Sequence, residues 1–239
     1  MTQLLASVTN KQEAMLALEA GADIIDLKNP DQGALGALPL PVIAEVVRAV
    51  TGLRPTSATI GDLPMQADLL VQAITQTAET GVDFIKIGFF GNVDHEFCVS
   101  AMRPLTARGL KLVAVQFADQ QPHINLLSTL KTAGFYGVML DTCVKDGSCL
   151  LDHMPFAQLQ AFVQTANACS LYCGLAGSVQ ISHVPALLPL QPDYLGFRGA
   201  LCLNSDRKST IIKHKVKELH NVLHKNNISL ADSHKAQAA

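Results

Sequence analysis

Short apolar runs alternate along the chain with longer stretches in which apolar residues recur every three or four positions. The short runs predict β-strands and the periodic stretches predict amphipathic helices. Glycines such as Gly21, Gly81 and Gly134 mark the ends of helices. The predicted strands are Leu4–Val8, Asp23–Lys28, Pro55–Ile60, Asp83–Phe90, Lys111–Phe117, Gly137–Asp141, Ser170–Leu175 and one that starts with Tyr194–Phe197.

A helix is predicted after each strand. The first begins near Thr9 or Asn10 and ends at Gly21. The others are predicted at Leu40–Val50, Met65–Glu79, Glu96–Ala107, Ile124–Ala133, Asp152–Ala166, His183–Leu188 and Thr210–Leu223. Eight strands alternating with eight helices indicate parallel βαβ units, and in a chain of this length they favour a single-domain (β/α)8 TIM barrel.

The barrel is predicted to occupy residues 1–225, and the polar segment 226–239 is predicted to be a disordered C-terminal tail. The alternative is an open doubly wound sheet. It is less favoured, because no Gly-x-Gly-x-x-Gly follows the first strand and eight repeats suit a closed barrel.

Composition narrows the class of function. Of the 239 residues 49% are hydrophobic and 16% charged, and the net charge is −2, which disfavours nucleic acid and anionic membranes as partners. Six cysteines without a Cys-x-x-Cys pair are typical of reduced thiols. No apolar run approaches the ~18 residues of a membrane span. We expect a cytoplasmic protein that acts on a small molecule. The sequence leaves open whether the protein forms a homo-oligomer.

Candidate chemistry begins on the second predicted strand. Asp26 and Lys28 share one face of the strand with Ile24, while Ile25 and Leu27 share the other. An acid and an amine on an otherwise apolar face cost stability unless they pair or take part in a reaction. Two interpretations stay open at this point, a structural ion pair or a reactive lysine at the rim of a barrel.

Further charged residues lie at or after the ends of other even-numbered strands, where barrel enzymes carry their chemistry. They are Lys86, Asp141, Lys145 and Arg198. Convergence of the lysines above an apolar floor would lower the pKa of Lys28 by desolvation and like charge. A neutral lysine amine can attack a carbonyl and form a Schiff base, so the pattern favours an aldolase-like reaction.

A phosphate site is predicted on the other side of the barrel. The loops after the seventh and eighth strands contain Gly177-Ser178 and Arg198-Gly199. Such loops commonly bind phosphate through backbone N–H groups, hydroxyls and guanidinium groups. The alternative is that these glycines only permit tight turns.

Metal and cofactor sites are not predicted. Cys143, Cys149 and His153 lack a recognised zinc spacing. His95 and His123 follow strands but have no further support, and four of the eight histidines lie after residue 213, far from the predicted pocket.

Five segments together resemble the (5-formylfuran-3-yl)methyl phosphate synthase family, also called 4-(hydroxymethyl)-2-furancarboxaldehyde-phosphate synthases. They are the opening LLASVTNKQEAMLALEAGADIIDLKNPDQGALGA, DFIKIGFFG, GVMLDTCVKDG, and GLAGS with GFRGA. The resemblance spans residues 3 to 223, and the DxKNPxxGxLGA run is its most specific part. It implies a TIM-barrel lyase that makes the furan precursor of methanofuran, in one-carbon metabolism, from two molecules of glyceraldehyde 3-phosphate.

The resemblance also implies residue roles. Lys28 would form the Schiff base and Lys86 would accept a proton, while Asp26, Asp141 and Lys145 match further active-site positions. Two rivals stay open: another Schiff-base aldolase acting on sugar phosphates, and a non-catalytic phosphate-binding barrel.

Overall fold

Eight parallel strands pair in chain order, and the last pairs with the first to close a barrel. The computed structural model describes residues 1–91 and 95–237, with side chains through residue 225. The closed (β/α)8 topology confirms the predicted fold class and excludes the open sheet. The strands are β1 (Gln3–Val8), β2 (Ile24–Leu27), β3 (Thr56–Thr59), β4 (Phe84–Gly88), β5 (Lys111–Phe117), β6 (Gly137–Asp141), β7 (Tyr172–Leu175) and β8 (Tyr194–Phe197).

Helices surround the barrel. They are α1 (Lys11–Glu19), α2 (Leu40–Val50), α3 (Ala67–Ala78), α4 (His95–Ala107), α5 (Leu126–Thr132), α6 (Leu150–His153), α7 (Phe156–Ala168), α8 (Val184–Leu187) and α9 (Lys213–Gln237). The helix predicted over Asp152–Ala166 is two helices instead. Pro155 lies between them as the N-cap of α7, because proline lacks the N–H that a continuous helix would use.

The strands alternate their side chains between two apolar layers. Ile25 and Leu27 face outward against the helices, whereas Ile24 faces into the barrel. On β4, Ile85 and Ile87 likewise face outward. The inner layer also contains Leu5, Val113, Val115, Phe117, Met139 and Tyr194. This inner layer is the apolar floor on which the charged side chains of the upper barrel rest.

The last helix passes the predicted domain boundary. The sequence predicts a disordered tail from residue 226, whereas α9 continues to Gln237. The helix is uninterrupted because no glycine or proline lies within Lys213–Gln237. In the part of the chain that the structure describes, no helix has both the length and the apolar character needed to cross a bilayer.

Candidate active site

A cavity of about 520 Å³ opens at the carboxyl ends of the strands. Its wall is formed by residues that follow β2, β6, β7 and β8, and the predicted site residues among them are Lys28, Asp141, Lys145, Gly177, Ser178, Arg198 and Gly199. This is the end of the barrel at which TIM-barrel enzymes carry their chemistry.

Lys28, Asp141 and Lys145 form one charged cluster in this cavity. Lys28 Nζ lies 3.7 Å from Asp141 Oδ2, while Lys145 Nζ lies 2.8 Å from Asp141 Oδ1. Lys145 also donates to Thr142 Oγ1 at 2.9 Å. The Lys28 amine is therefore near a carboxylate without being held in a short hydrogen bond, which leaves it able to reach a substrate.

The environment of Lys28 favours its neutral form. The side chain is only 9% exposed, and burial lowers the pKa of Lys28 to about 8. The carboxylates of Asp141 and Asp26 act in the opposite direction, while the ammonium groups of Lys86 and Lys145 add to the lowering. With a pKa of about 8, about a tenth of this amine is unprotonated at pH 7, far more than for an ordinary lysine, and the neutral form is the one that a nucleophilic lysine requires.

Asp26 and Lys86 lie deeper, inside the barrel. Lys86 Nζ is 2.5 Å from Asp26 Oδ1, and Asp26 also accepts hydrogen bonds from Ser7 Oγ at 2.8 Å and Ser57 Oγ at 2.6 Å. Ser7 on β1 and Ser57 on β3 are the register partners of Asp26. The ion pair suggested between Asp26 and Lys28 is therefore replaced by a pair between Asp26 and Lys86.

Both carboxylates stay ionised in this setting. Burial opposes their ionisation, but the neighbouring ammonium groups outweigh it and hold the pKa of Asp26 and of Asp141 below the usual range. For Asp26 the cations are Lys86 and Lys28, and for Asp141 they are Lys145 and Lys28. Each ionised carboxylate of the site therefore lies near two lysine amines.

Gly177 brings the β7 loop against the β6 loop on the predicted phosphate side. Its φ of +102° belongs to the left-handed region, and an added Cβ would lie 3.0 Å from Thr142 N and 2.9 Å from Thr142 Cγ2. Only glycine allows this approach. Ser178 follows at φ 51°, on the cavity wall. This backbone places the start of the loop beside Asp141 and its lysines.

Arg198 borders the cavity but uses its donors within the protein. Nε donates to Arg207 O at 2.8 Å, and Nη1 donates to Ser7 O at 3.1 Å and Glu13 Oε2 at 2.6 Å. Nη2 donates to Glu13 Oε1 at 3.3 Å and Ser209 O at 2.8 Å. A guanidinium has five N–H groups, so every one is occupied. The expectation that Arg198 binds phosphate directly is therefore revised: this side chain positions the loop that carries Arg207.

Arg207 also lines the cavity, although no sequence pattern predicts it as a site residue. Its side chain is half-buried on the cavity wall. Within the described part of the chain, the guanidinium donates one hydrogen bond, from Nη2 to Gly33 O at 2.9 Å. It lies in an irregular loop ten residues after β8, where neither periodicity nor a motif marks it. The pairing of Arg198 with Glu13 has only one sign within α1, which is that the Glu13 side chain is buried there. That burial becomes visible only in the folded structure.

Another hollow, of about 600 Å³, lies at the opposite end of the barrel. It is lined at the starts of β5 and β7 by Lys111 and Tyr172, and between them by Tyr136. Lys111 Nζ lies over the Tyr136 ring at 5.5 Å from its centroid. The charged cluster is not at this end, so the smaller cavity is the candidate active site.

His153, which follows β6, forms a hydrogen bond with Ser148 Oγ at 2.7 Å.

The chain matches a known protein family over most of its length. A family model described as 4-HFC-P synthase matches residues 4–220. The chain belongs to this family. Apart from Gln3 at the start of β1, the match covers all eight strands, and it includes every charged residue of the cavity described above.

Relatives in the family span nearly the whole chain. A Methylorubrum extorquens protein is 43% identical over 87% of this chain and 86% of its own length. The (5-formylfuran-3-yl)methyl phosphate synthases of Methanococcus maripaludis strain C5 and Methanopyrus kandleri are 37% and 34% identical, covering 90% and 92% of this chain and 97% and 98% of their own. Membership of a family of synthases indicates that the chain is an enzyme.

Solved structures share the fold at low identity. Phosphoribosyl anthranilate isomerase from Thermotoga maritima superposes with a TM-score of 0.69 at 10% identity, covering 94% of this chain and 100% of that one. 3-Hexulose-6-phosphate synthase from Salmonella typhimurium gives 0.66 at 14% identity, covering 94% and 99%. At this identity the likeness establishes the TIM-barrel fold alone.

Proposed function

We propose that the chain is a lyase that condenses two molecules of glyceraldehyde 3-phosphate to (5-formylfuran-3-yl)methyl phosphate through a Schiff base on Lys28. The observation that carries the proposal is the Lys28 amine, buried at the cavity floor with a pKa lowered to about 8 and a carboxylate 3.7 Å away. Two triose phosphates equal the product plus one phosphate and two waters, so the reaction needs no oxidant or reductant.

The first step is the attack of the neutral Lys28 amine on the aldehyde carbon of one triose phosphate. A carbon–nitrogen bond forms, the carbonyl oxygen leaves as water, and the product is a cationic iminium. Asp141, which is held ionised by Lys145, then lies beside a permanent positive charge. A fixed carboxylate next to a developing cation stabilises it without having to reorient.

The second step moves the proton from the carbon next to the iminium. Lys86 would accept this proton from the minor tautomer of its pair, in which one proton has moved along the short contact from Lys86 to Asp26; in the resting pair Asp26 stays ionised. Loss of the α-proton converts the iminium into an enamine. The enamine supplies the electron pair for the new carbon–carbon bond to a carbonyl carbon of the second triose phosphate, and the carbonyl oxygen takes up the displaced pair and a proton.

Elimination of phosphate and ring closure follow in the same cavity. The Lys145 ammonium lies on the cavity wall and can neutralise the phosphate that departs. For the phosphate that is retained, we propose Ser178, the backbone of Gly177 and Gly199, and the Arg207 guanidinium, since Arg198 has no donor to spare. Cyclisation and loss of water then form the aromatic furan and free Lys28.

Product analysis with glyceraldehyde 3-phosphate as the only substrate tests this function. We expect ultraviolet absorbance from a furan aldehyde, a product mass equal to two triose phosphates less one phosphoric acid and two waters, and one inorganic phosphate per product. A Lys28→Met variant is the matched control and should give none of these. A different Schiff-base aldolase would give a non-aromatic product, and a non-catalytic barrel would bind the substrate without turnover; either result contradicts the proposal.

A further inference from the structure

A second cluster of ionisable side chains lies at the amino-terminal end of the barrel, away from the active site. Asp23 directly precedes β2, and α9 carries His220 and His224 four residues apart, on one face of the helix. One nitrogen of each histidine and a carboxylate oxygen of Asp23 lie within 4.8 Å of one another. The two imidazole rings are 4.1 Å apart between centroids.

Two ring nitrogens in this cluster have no hydrogen-bond partner among the residues that the structure describes. They are His220 Nδ1 and His224 Nε2, and both are shielded from solvent. His224 Nε2 is directed at Asp23 Oδ2 from 4.0 Å, too far for a direct hydrogen bond. A buried polar atom without a partner is destabilising, so these nitrogens are better explained by a ligand that both can bind.

The surroundings hold the cluster in place. Asp23 Oδ2 accepts a hydrogen bond from Leu4 N at 2.9 Å, which fixes the carboxylate and leaves it further lone pairs. Gly21 gives the His220 ring its room, since a Cβ at Gly21 would lie 2.9 Å from His220 Nδ1. The side chains of His224 and Asp23 are 41% and 17% exposed, so an ion can enter from solvent.

We propose that Asp23, His220 and His224 bind a divalent transition-metal ion of the zinc class. Two imidazoles four residues apart on a helix, with one carboxylate, are a ligand set that zinc accepts, and a water completes the tetrahedron. Ligand atoms of a tetrahedral zinc site lie about 3.3 Å apart, given metal–ligand distances of about 2.0–2.1 Å. The ligand atoms lie within 4.8 Å of one another, so side-chain rotations that shorten these separations by at most about 1.5 Å would form the site.

The bound ion would tie the last helix to the strand that carries the reactive lysine. α9 packs against β1 and α1 through its apolar face, and the metal would add a link from α9 to the entry of β2. Because the site is at the opposite end of β2 from Lys28, its role is structural. Removal of the metal is expected to lower the unfolding temperature.

The experiment uses the untagged full chain after treatment with a chelator. On addition of Co²⁺ at neutral pH, we expect a visible d–d absorption band of a four- or five-coordinate site that saturates at one equivalent and is displaced by Zn²⁺. Zn²⁺ should raise the unfolding temperature of the same sample. His220→Gln and His224→Gln should each abolish the band and weaken Zn²⁺ binding at least ~10-fold, a typical loss when a site loses one determinant of affinity.

His214→Gln is the matched control, because His214 is exposed on the same helix and lies outside the cluster. It should keep the band and the affinity for Zn²⁺. Histidine ring signals in the NMR spectrum provide an independent readout and should shift for residues 220 and 224 on addition of Zn²⁺. Equal affinity in wild type and both cluster variants, or shifts confined to other histidines, would overturn the proposal and leave a histidine–aspartate ion pair.

Discussion

Lys86 Nζ lies 2.5 Å from Asp26 Oδ1, and the two side chains are 2% and 0% exposed. Asp26 therefore forms its ion pair with Lys86, and Lys28 lies near a different carboxylate, that of Asp141. The two carboxylates serve two lysines at two depths of the barrel. This division leaves the upper lysine available for chemistry while the lower pair stays intact.

The buried pair makes a prediction about stability. Asp26→Asn should lower the free energy of unfolding by about 3–5 kcal/mol, because it leaves the Lys86 ammonium buried without a counter-charge. Urea denaturation followed by circular dichroism measures this loss. The double variant Asp26→Asn/Lys86→Met should recover most of it. A double variant no more stable than Asp26→Asn would show that the charge of Lys86 is not the cause.

The charges around Lys28 make a prediction about pH. The rate of Schiff-base formation should rise with pH through about 8, because the amine loses its proton there. The Lys145 ammonium lowers the pKa of Lys28, so Lys145→Met should move the profile to higher pH. The Asp141 carboxylate raises that pKa, so Asp141→Asn should move the profile to lower pH. Single-turnover rates measured against pH show both displacements; movement in the same direction for both variants would contradict the account.

The two arginines should respond differently to substitution. Arg198→Met should cost about 3–5 kcal/mol of stability, because it leaves the Glu13 carboxylate buried and unpaired. Arg207→Met should leave the unfolding temperature nearly unchanged and weaken substrate binding about tenfold or more, as expected when one charge-assisted phosphate contact of about 1.5–3 kcal/mol is lost. Thermal unfolding and KM measured for both variants check this. A normal KM in Arg207→Met would remove Arg207 from the phosphate site.

Gly177 makes a prediction about the join between the β6 and β7 loops. Gly177→Ala should reduce stability by about 1–3 kcal/mol, since its φ of +102° and the contact with Thr142 both oppose a Cβ. It should also reduce kcat/KM through displacement of Ser178. Gly147→Ala is the matched control, because Gly147 has φ +103° but no atom within 4 Å of its added Cβ. Equal effects on kcat/KM in both variants would contradict a role for this contact.

Much of this arrangement follows from alternation along the strands. Ile24 faces inward and Ile25 and Leu27 face outward, as the two-residue period predicts. The period does not show how deep each side chain lies inside the barrel. Asp26 and Lys28 are about 7 Å apart along the strand, given a rise of about 3.3 Å per residue, so one lies inside the barrel and the other at its rim. That difference is why Asp26 meets Lys86 and Lys28 meets Asp141.

Other parts of the site depend on contacts between distant segments. A Gly-Phe-Arg-Gly run after a strand is typical of a phosphate loop, but Arg198 is bound by Glu13, 185 residues earlier in the chain. The serines that complete the Asp26 network come from β1 and β3, although the charged candidates that the sequence indicated lie on or after even-numbered strands. Such partners become visible only once the barrel register is known.

Trapping of the intermediate tests the central claim most directly. The protein is incubated with glyceraldehyde 3-phosphate and borohydride, digested and mapped by mass spectrometry, with Lys28→Met treated in parallel. The account predicts a reduced adduct on the peptide that contains Lys28, and none in the variant. An adduct on Lys86 or Lys145 instead, or full turnover by Lys28→Met, would contradict it.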